Sequence, residues 1–502
     1  MRTVVQLMDS LGFNRGGLTK AVYKRVNMYC EKGYTVIVCV TRYQPDAKEI
    51  FLALQKQGLL HTDARFHSLV NSDIPMDVDR SLSGWTRSAN RVEAENRNDR
   101  VVRHFDNLGR FLGLEKLDSS GHKLFEDHHS PLSPHVITHR AFFDRAQNIR
   151  KVQYFDTSWN PRFETVFGEA GAPVYSAWIS PEGKQDRFIY FGDESEDTSE
   201  FPTWNDLRSA MLGRWLNTFT QQVSVISDEP MTMPLLIQGE SLDHVTGIGV
   251  MHTTHFIGSG YENPLRYKGW LSRYVPGKGM LKKVVCITNA QLADLRTLMP
   301  DLNEENSAAI PHALSNPNSF QPKPDFKMFA YRLLYLGRLA PEKQVGSLIE
   351  GFAKALEDLP KLRLDLVGEG PESAHLRELV SRLGIEDAVT FHGYQNEPLN
   401  WYDNCDALLM NSKFEGFGLT ILEAFSCSCP VISSPTKYGP LELVRDGING
   451  LMFDGSPSSL YEQIKNLYAD EQRYKEMREN ALLTLNDYPQ DQYSQAWTRI
   501  LD

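Results

Sequence analysis

The segment from Asn411 to Pro430, NSKFEGFGLTILEAFSCSCP, constrains the fold more than any other part of the chain. It follows an apolar run, DALLM, that is typical of a buried strand. Gly416 and Gly418 predict a tight loop, and the apolar pattern that begins at Leu419 predicts a helix. A helix N-terminus behind a glycine loop presents backbone N–H groups to an anion. We predict that these groups belong to Gly418, Leu419 and Thr420.

Two glutamates, Glu415 and Glu423, lie eight positions apart in this segment. Glu415 stays in the loop, where it can face a sugar. Glu423 would lie about one turn inside the helix, where its carboxylate can accept hydrogen bonds from a ribose diol. By itself the spacing fits two solvated glutamates equally well, so the flanking features decide between the two interpretations.

Length and composition set the broad class. A chain of 502 residues exceeds one ordinary core and predicts two or three domains. It has no apolar run long enough to span a bilayer and no signal-peptide pattern at the N-terminus, so we expect a cytoplasmic protein, the inner membrane surface included. Six cysteines without framework spacing predict reduced thiols, and a net charge of −11 argues against general nucleic-acid binding.

The N-terminal part alternates strand, loop, helix and strand up to Val40, which is the opening of a Rossmann-like sheet. Gly16 and Gly17 lie where the loop enters the helix, and they allow the backbone to approach a phosphate or a sugar. The full G-x-G-x-x-G pattern is missing, so dinucleotide binding is not expected. The same alternation resumes in residues 216–318.

Residues 71–215 interrupt this alternation, and we predict that they form a β-rich insertion. A weak helical periodicity from Ser88 to Leu114 predicts a helix there, whereas period-two patterns from Arg150 to Phe191 predict an antiparallel meander. Asp77 and Asp79 form a D-x-D motif, but no strand end precedes it. We interpret this motif as a solvated face and predict no metal site.

The C-terminal part alternates strands and helices over residues 328–485, which predicts a second parallel sheet. Arg338 and Lys343 lie five positions apart in the loop that follows its first strand. This loop and the Glu415 loop should meet at the carboxyl edge of the sheet, where ligands bind in parallel folds.

Together, the E-x7-E spacing and these flanking features resemble the retaining glycosyltransferases of family 4, which have the GT-B fold. The resemblance implies an α/β protein with two Rossmann-like domains facing across a cleft. Residues 1–70 and 216–318 would form the acceptor domain and residues 328–485 the nucleotide-sugar domain. Residues 486–502 would form a helix that crosses back to the first domain.

Sugar transfer from a nucleotide diphosphate needs the leaving pyrophosphate to be stabilised by a metal or by fixed cations and helix dipoles. Arg338 can bind phosphate oxygens with its guanidinium fork, and Lys343 can supply a point charge. We therefore expect no metal and no other cofactor. His252 follows a strand of the first domain, where an imidazole can hydrogen-bond the donor sugar, and His255 is either functional or structural.

Over the whole chain the closest resemblance is to wall teichoic acid α-glycosyltransferases of the poly(ribitol-phosphate) or poly(glycerol-phosphate) type. The motifs that carry it are residues 14–19, 53–58, 250–255, 337–343 and 437–440, together with the insertion. The resemblance implies that Arg338 and Lys343 bind the diphosphate, that Glu423 binds ribose, and that the transferred sugar lies between Glu415, His252 and Gly17. It also implies a homo-oligomer such as a trimer, assembled through the insertion.

The resulting prediction is a UDP-sugar-dependent α-glycosyltransferase (EC 2.4.1 type) that moves a hexose or N-acetylhexosamine to a hydroxyl of an anionic polyol-phosphate polymer. Two alternatives remain open: the same chemistry on protein Ser or Thr or on a glycolipid, and an inactive sugar-binding partner of an active transferase. Between Asn263 and Ala293 there is no acidic residue, so this segment is a candidate acceptor site. Its basic residues are Arg266, Lys268, Arg273, Lys278, Lys282 and Lys283.

Overall fold

Two parallel sheets and one antiparallel sheet make up the computed structural model. It describes residues 2–13, 17–70, 90–96, 99–106, 108, 110–130, 133–168, 171–192, 198–254, 276–314, 329–395 and 399–501. In the described residues no helix combines the length and the apolar character that crossing a membrane would require.

The first parallel sheet has seven strands in the order β17-β16-β15-β14-β1-β2-β3. Every residue of β1 and β14 is buried, as expected for strands covered on both faces. The strands are β1 (Thr3–Met8), β2 (Thr35–Val40), β3 (Arg65–Ser68), β14 (Val223–Ser227), β15 (Val245–Met251), β16 (Leu281–Cys286) and β17 (Ser307–Ala309). The accompanying helices are α1 (Gly17–Glu31), α2 (Ala47–Lys56), α3 (Trp204–Leu216), α4 (Met233–Gln238) and α5 (Asn289–Leu298).

The antiparallel sheet takes all ten of its strands from residues 90–201, in unbroken sequence order from β4 to β13. Short turns join neighbouring strands, so each strand pairs with the next one along the chain. The strands are β4 (Asn90–Asn96), β5 (Asp99–Phe105), β6 (Phe111–Leu117), β7 (Lys123–Ser130), β8 (Ser133–Phe143), β9 (Ile149–Phe155), β10 (Pro161–Phe167), β11 (Pro173–Ile179), β12 (Gln185–Tyr190) and β13 (Ser199–Phe201).

The second parallel sheet has six strands in the order β20-β19-β18-β21-β22-β23. They are β18 (Arg332–Leu336), β19 (Arg363–Val367), β20 (Val389–Gly393), β21 (Ala407–Met410), β22 (Val431–Ser433) and β23 (Gly450–Met452). The helices are α6 (Val345–Asp358), α7 (Ser373–Leu383), α8 (Leu399–Tyr402), α9 (Leu419–Ser426), α10 (Gly439–Leu443), α11 (Pro457–Ala469), α12 (Glu471–Leu483) and α13 (Gln490–Leu501). Short 3-10 helices cover Pro341–Lys343 and Thr484–Asp487.

The chain divides into two compact units. The first comprises Met1–Phe13, Val22–Gly247 and Gly277–Leu281, and the second comprises Asn14–Ala21, Ile248–Pro276 and Lys282–Asp502. In the first unit a buried ion pair joins Arg25 of α1 to Asp228, which follows β14. In the second unit α6 buries Leu348 and Phe352 against the six-stranded sheet. The domain borders expected from the sequence, at residues 70, 216, 318, 328 and 485, stay predictions.

The predicted α/β fold with a β-rich insertion is confirmed, and so is the meander between Arg150 and Phe191. The helix predicted between Ser88 and Leu114 is wrong, because this stretch contributes β4, β5 and the start of β6. Each of these strands gains a full ladder of backbone hydrogen bonds from its neighbour, which outweighs a weak helical preference.

Candidate active site

Lys343 and Glu415 form an ion pair at the carboxyl edge of the second parallel sheet. Lys343 ends the 3-10 helix behind β18, and Glu415 lies in the loop behind the neighbouring strand β21. The Nζ atom of Lys343 donates to Oε2 of Glu415 at 2.6 Å and to Oγ of Ser412 at 3.3 Å. The backbone N–H of Lys413 donates to the carbonyl of Glu342 at 2.8 Å, which ties the two loops together. The structure therefore confirms that these loops meet at one edge.

Arg338, the second predicted cation, is largely exposed and ion-pairs with Glu342 in the same loop. The pKa of Glu342 is lowered by a hydrogen bond from the backbone N–H of Glu342 itself and by the charge of the Arg338 guanidinium. The hydroxyl of Tyr335 donates to the carbonyl oxygen of Arg338 at 2.8 Å and anchors the loop from below. Each cation is thus paired with a carboxylate in the loops at this sheet edge.

The glycine loop needs its glycines for two separate reasons. Gly418 caps α9 with φ of 83°, a conformation that residues with a side chain rarely adopt. Gly416 lies against the backbone of His252, and a Cβ at this position would be 2.0 Å from the His252 carbonyl oxygen. The first turn of α9, with Leu419 and Thr420, opens directly behind this loop.

His252 reaches the loop through its backbone, while its ring belongs to an aromatic stack. The His252 ring lies 5.5 Å from that of His312 at an interplanar angle of 21°. His312 in turn meets Phe417 edge to face at 5.3 Å. No role was predicted for His312, because nothing in the spacing of the two histidines predicts that their rings stack.

Gly17, at the start of α1, lies close to the predicted donor loop. A Cβ on Gly17 would be 2.9 Å from Cδ1 of Leu419, so the N-terminal glycine and the N-terminus of α9 are neighbours within the second unit. Several predicted positions lie outside the described residues: Gly16, Asp77, Asp79, His255, Arg266, Lys268 and Arg273.

Glu423 lies on α9, as predicted, one turn inside the helix. Its Oε2 atom accepts a hydrogen bond of 3.1 Å from the hydroxyl of Tyr402, a fully buried residue of α8. Tyr402 was not predicted as a partner of Glu423, because it lies 21 positions upstream on a helix of only four residues.

A cavity of about 280 Å³ opens at the carboxyl ends of β18, β19 and β20. It is lined by the glycine-rich turn Gly368–Gly370, by Gly393 and by Phe391, whose ring lies 4.3 Å from the Arg377 guanidinium carbon. This turn was not among the predicted site residues. The clustered glycines were the sequence feature that could have indicated a site here. Gly370 has to be a glycine, because a Cβ at this position would be 2.2 Å from the Leu339 carbonyl oxygen.

Two of the predicted acceptor lysines, Lys282 and Lys283, lie on β16. The Nζ atom of Lys283 donates to the carbonyl oxygen of Ile500 at 3.0 Å, close to the end of α13. Lys282 is half-buried beside it.

Within the described parts of the chain, no three His, Cys, Asp or Glu side chains are grouped to hold a metal ion. All six cysteines lie in described segments, and none forms a disulfide.

Residues 319–483 match the family model of the glycosyl transferases group 1. The chain is 26% identical over 256 residues to a poly(glycerol-phosphate) alpha-glucosyltransferase of Bacillus subtilis, and this match spans 50% of the chain but only 37% of the relative. It is 22% identical over 378 residues to the GtfA subunit of the UDP-N-acetylglucosamine–peptide N-acetylglucosaminyltransferase of Streptococcus gordonii, covering 73% of this chain and 74% of the relative.

Among solved structures, the chain superposes on a point mutant of TarM from S. aureus with a TM-score of 0.82 at 18% identity, over 100% of both chains. That protein was crystallised with fondaparinux, alpha-GlcNAc-glycerol and UDP. The superposition shows that the two chains share a fold.

Proposed function

We propose that the chain is a retaining, UDP-sugar-dependent α-glycosyltransferase of family 4 that acts on a polyol-phosphate polymer, because residues 319–483 match the family model of the glycosyl transferases of group 1. The observation that carries this proposal is the meeting of Lys343, Glu415 and the first turn of α9 at one sheet edge. Two cations and a helix N-terminus there suit a diphosphate that gains charge as it leaves.

In the proposed reaction the bond between the anomeric carbon and the β-phosphate oxygen breaks, and the phosphate keeps the electron pair. A bond from the acceptor hydroxyl oxygen to the same face of that carbon forms, and the hydroxyl proton passes to the leaving phosphate. Arg338 and Lys343 neutralise the developing charge by exchanging their carboxylate partners for phosphate oxygens. Glu415, released from Lys343, then accepts hydrogen bonds from the donor sugar.

The donor and acceptor assignments draw on the relatives. The Bacillus relative is named for glucosyl transfer to poly(glycerol-phosphate), and TarM was crystallised with UDP and a GlcNAc-glycerol. These names support a UDP-hexose or UDP-N-acetylhexosamine donor and a polyol-phosphate acceptor.

A second candidate function is GlcNAc transfer to protein hydroxyls, and the similarity to the streptococcal GtfA subunit over 73% of this chain favours it. An inactive partner protein is the weaker alternative. Such a protein would have no need for Lys343 and Glu415 in direct contact at 2.6 Å.

The test is release of UDP from UDP-glucose and from UDP-N-acetylglucosamine by the pure protein, with poly(glycerol-phosphate), poly(ribitol-phosphate) or a serine-rich peptide as acceptor. We expect turnover with a polyol-phosphate, an α-linked product and full activity in EDTA. Turnover only with the peptide would replace the first candidate by the second. Activity abolished by EDTA and restored by Mn²⁺ would contradict the metal-free mechanism.

We also propose that the antiparallel sheet assembles the chain into a homo-oligomer such as a trimer. Its outermost strands, β4 and β13, each pair on one side only within the described sheet, and such edges tend to be covered. Sedimentation at micromolar concentration should give a mass above that of one chain. A strictly monomeric protein would contradict this proposal.

A further inference from the structure

The fully buried phenol of Tyr402 contacts Glu423, the residue that is predicted to bind the ribose. The hydroxyl of Tyr402 donates to Oε2 of Glu423 at 3.1 Å, and the Tyr402 side chain has no exposed surface. Burial and the adjacent Glu423 carboxylate raise the pKa of Tyr402 well above its usual value, so the phenol stays protonated and remains a donor.

Helix α8, which carries Tyr402, is attached to its surroundings by cysteine thiols at both ends. Cys405 donates to the carbonyl oxygen of Tyr402 at 3.5 Å, and Cys427, just past the end of α9, donates to the carbonyl oxygen of Leu399 at 3.8 Å. Cys405 also contacts Cys429 at 3.3 Å between sulfurs. Because these contacts link α8 to the end of α9, the phenol and the Glu423 carboxylate hold a defined relative position.

We propose that Tyr402 is a positioning residue, which holds the Glu423 carboxylate in the orientation that accepts hydrogen bonds from the ribose diol of the nucleotide donor. A carboxylate has about four acceptor positions, so the bond from Tyr402 orients Glu423 and leaves it able to accept further bonds. Tyr402 thereby makes the site selective for a ribonucleotide over a nucleotide without ribose hydroxyls. This inference rests on the proposed function.

The test compares the binding of UDP with that of 2′,3′-dideoxyuridine 5′-diphosphate by calorimetry. The wild type should bind UDP more tightly than the dideoxy analogue. Tyr402→Phe keeps the ring that fills the core and removes only the hydroxyl. It should weaken UDP binding about tenfold, on the scale of one hydrogen bond to a charged group, and leave the analogue unchanged. In turnover, KM for the UDP-sugar should rise by the same factor with kcat nearly constant.

Tyr468→Phe is the matched control. The Tyr468 hydroxyl donates to Oδ2 of Asp406 at 2.8 Å, so this variant loses a phenol–carboxylate bond of the same kind in the same unit. Neither Tyr468 nor Asp406 takes part in the proposed site, and both nucleotides should bind to this variant as they do to the wild type. In a Glu423→Ala background, adding Tyr402→Phe should cause no further loss of UDP binding.

Equal weakening of both nucleotides by Tyr402→Phe, or unchanged UDP binding, would overturn the inference while leaving the proposed function intact. A further loss of UDP binding in the Glu423→Ala background would overturn it too, since Tyr402 would then act independently of Glu423. A wild type that binds neither nucleotide would overturn the proposed donor site and this inference with it.

Discussion

Among single residues, Lys343 has the most direct proposed role, because its ammonium has to leave Glu415 and meet the leaving diphosphate. Lys343→Ala should lower kcat by about 10²- to 10³-fold, the range found for removing one preorganised charge-stabilising group. The measurement is UDP release at saturating donor. Lys465→Ala is the control, since Lys465 forms an exposed ion pair with Asp358 away from the sheet edge. Turnover by Lys343→Ala at the level of this control would contradict the assigned role.

Gly416 makes a second prediction at this scale. An alanine Cβ would be 2.0 Å from the His252 carbonyl oxygen, a backbone atom that can yield only if the loop moves. Gly416→Ala should therefore destabilise the fold by about 1–3 kcal/mol and reduce activity. Gly213→Ala provides the contrast, because nothing lies within 4 Å of its Cβ on α3 and alanine favours a helix. The melting temperature of Gly213→Ala should match or exceed that of the wild type. If Gly416→Ala melted at the same temperature as Gly213→Ala, the close approach of Gly416 to His252 would be contradicted.

How far single residues can be predicted from the sequence depends on how local their chemistry is. Lys343 and Glu415 were predictable because each follows a strand of one parallel sheet, and such strands end at a common edge. Tyr402 and His312 were not, since their partners are set by side-chain packing between distant segments. Lys283 carries a charge that suggested acceptor binding, but its bond to the Ile500 carbonyl depends on where α13 lies.

At the scale of elements, pairing between strands determined the secondary structure where the local sequence pattern gave a wrong prediction. In residues 88–114 a weak helical periodicity favoured a helix. The antiparallel ladders of β4–β5 and β5–β6 supply long-range hydrogen bonds that no local pattern contains. Between Arg150 and Phe191 the strict alternation and the turn residues agreed with the sheet, and the prediction was right.

The antiparallel sheet also predicts a pH dependence of stability centred on His139 of β8. Burial, together with the neighbouring His128 ring 4.2 Å away, lowers the pKa of His139 to about 4, against the opposing charges of Glu126 and Asp127. The unfolded chain therefore takes up this proton first, and the contribution of neutral His139 to stability is lost as pH falls from about 6.5 to about 4.

His139→Gln should consequently lose less melting temperature than the wild type between pH 7 and pH 4.5, measured by calorimetry at constant ionic strength. His122→Gln serves as the control, because His122 lies in a turn with half of its side chain exposed. Parallel curves for the wild type and His139→Gln would contradict the prediction.

For the molecule as a whole, one basic stretch stands out against an acidic net charge. The chain carries a net charge of −11, yet the stretch from Asn263 to Ala293 contains six basic residues and no acidic one. A polyol-phosphate with one charge per repeat would be attracted to such a stretch, and salt would screen the attraction over roughly 8–10 Å. KM for the polymer should therefore rise steeply between low and physiological salt, while slow hydrolysis of the UDP-sugar without acceptor stays constant.

The two lysines of β16, Lys282 and Lys283, test whether this stretch binds the acceptor. Lys283→Ser removes the bond to the Ile500 carbonyl and should lower the melting temperature as well as raise KM for the polymer. Lys282→Ser should raise KM for the polymer and weaken its salt dependence. Lys354→Ser, on α6, removes one positive charge elsewhere and should leave KM unchanged. If KM for the polymer changes neither with salt concentration nor in Lys282→Ser, the acceptor is neutral, as a protein hydroxyl would be.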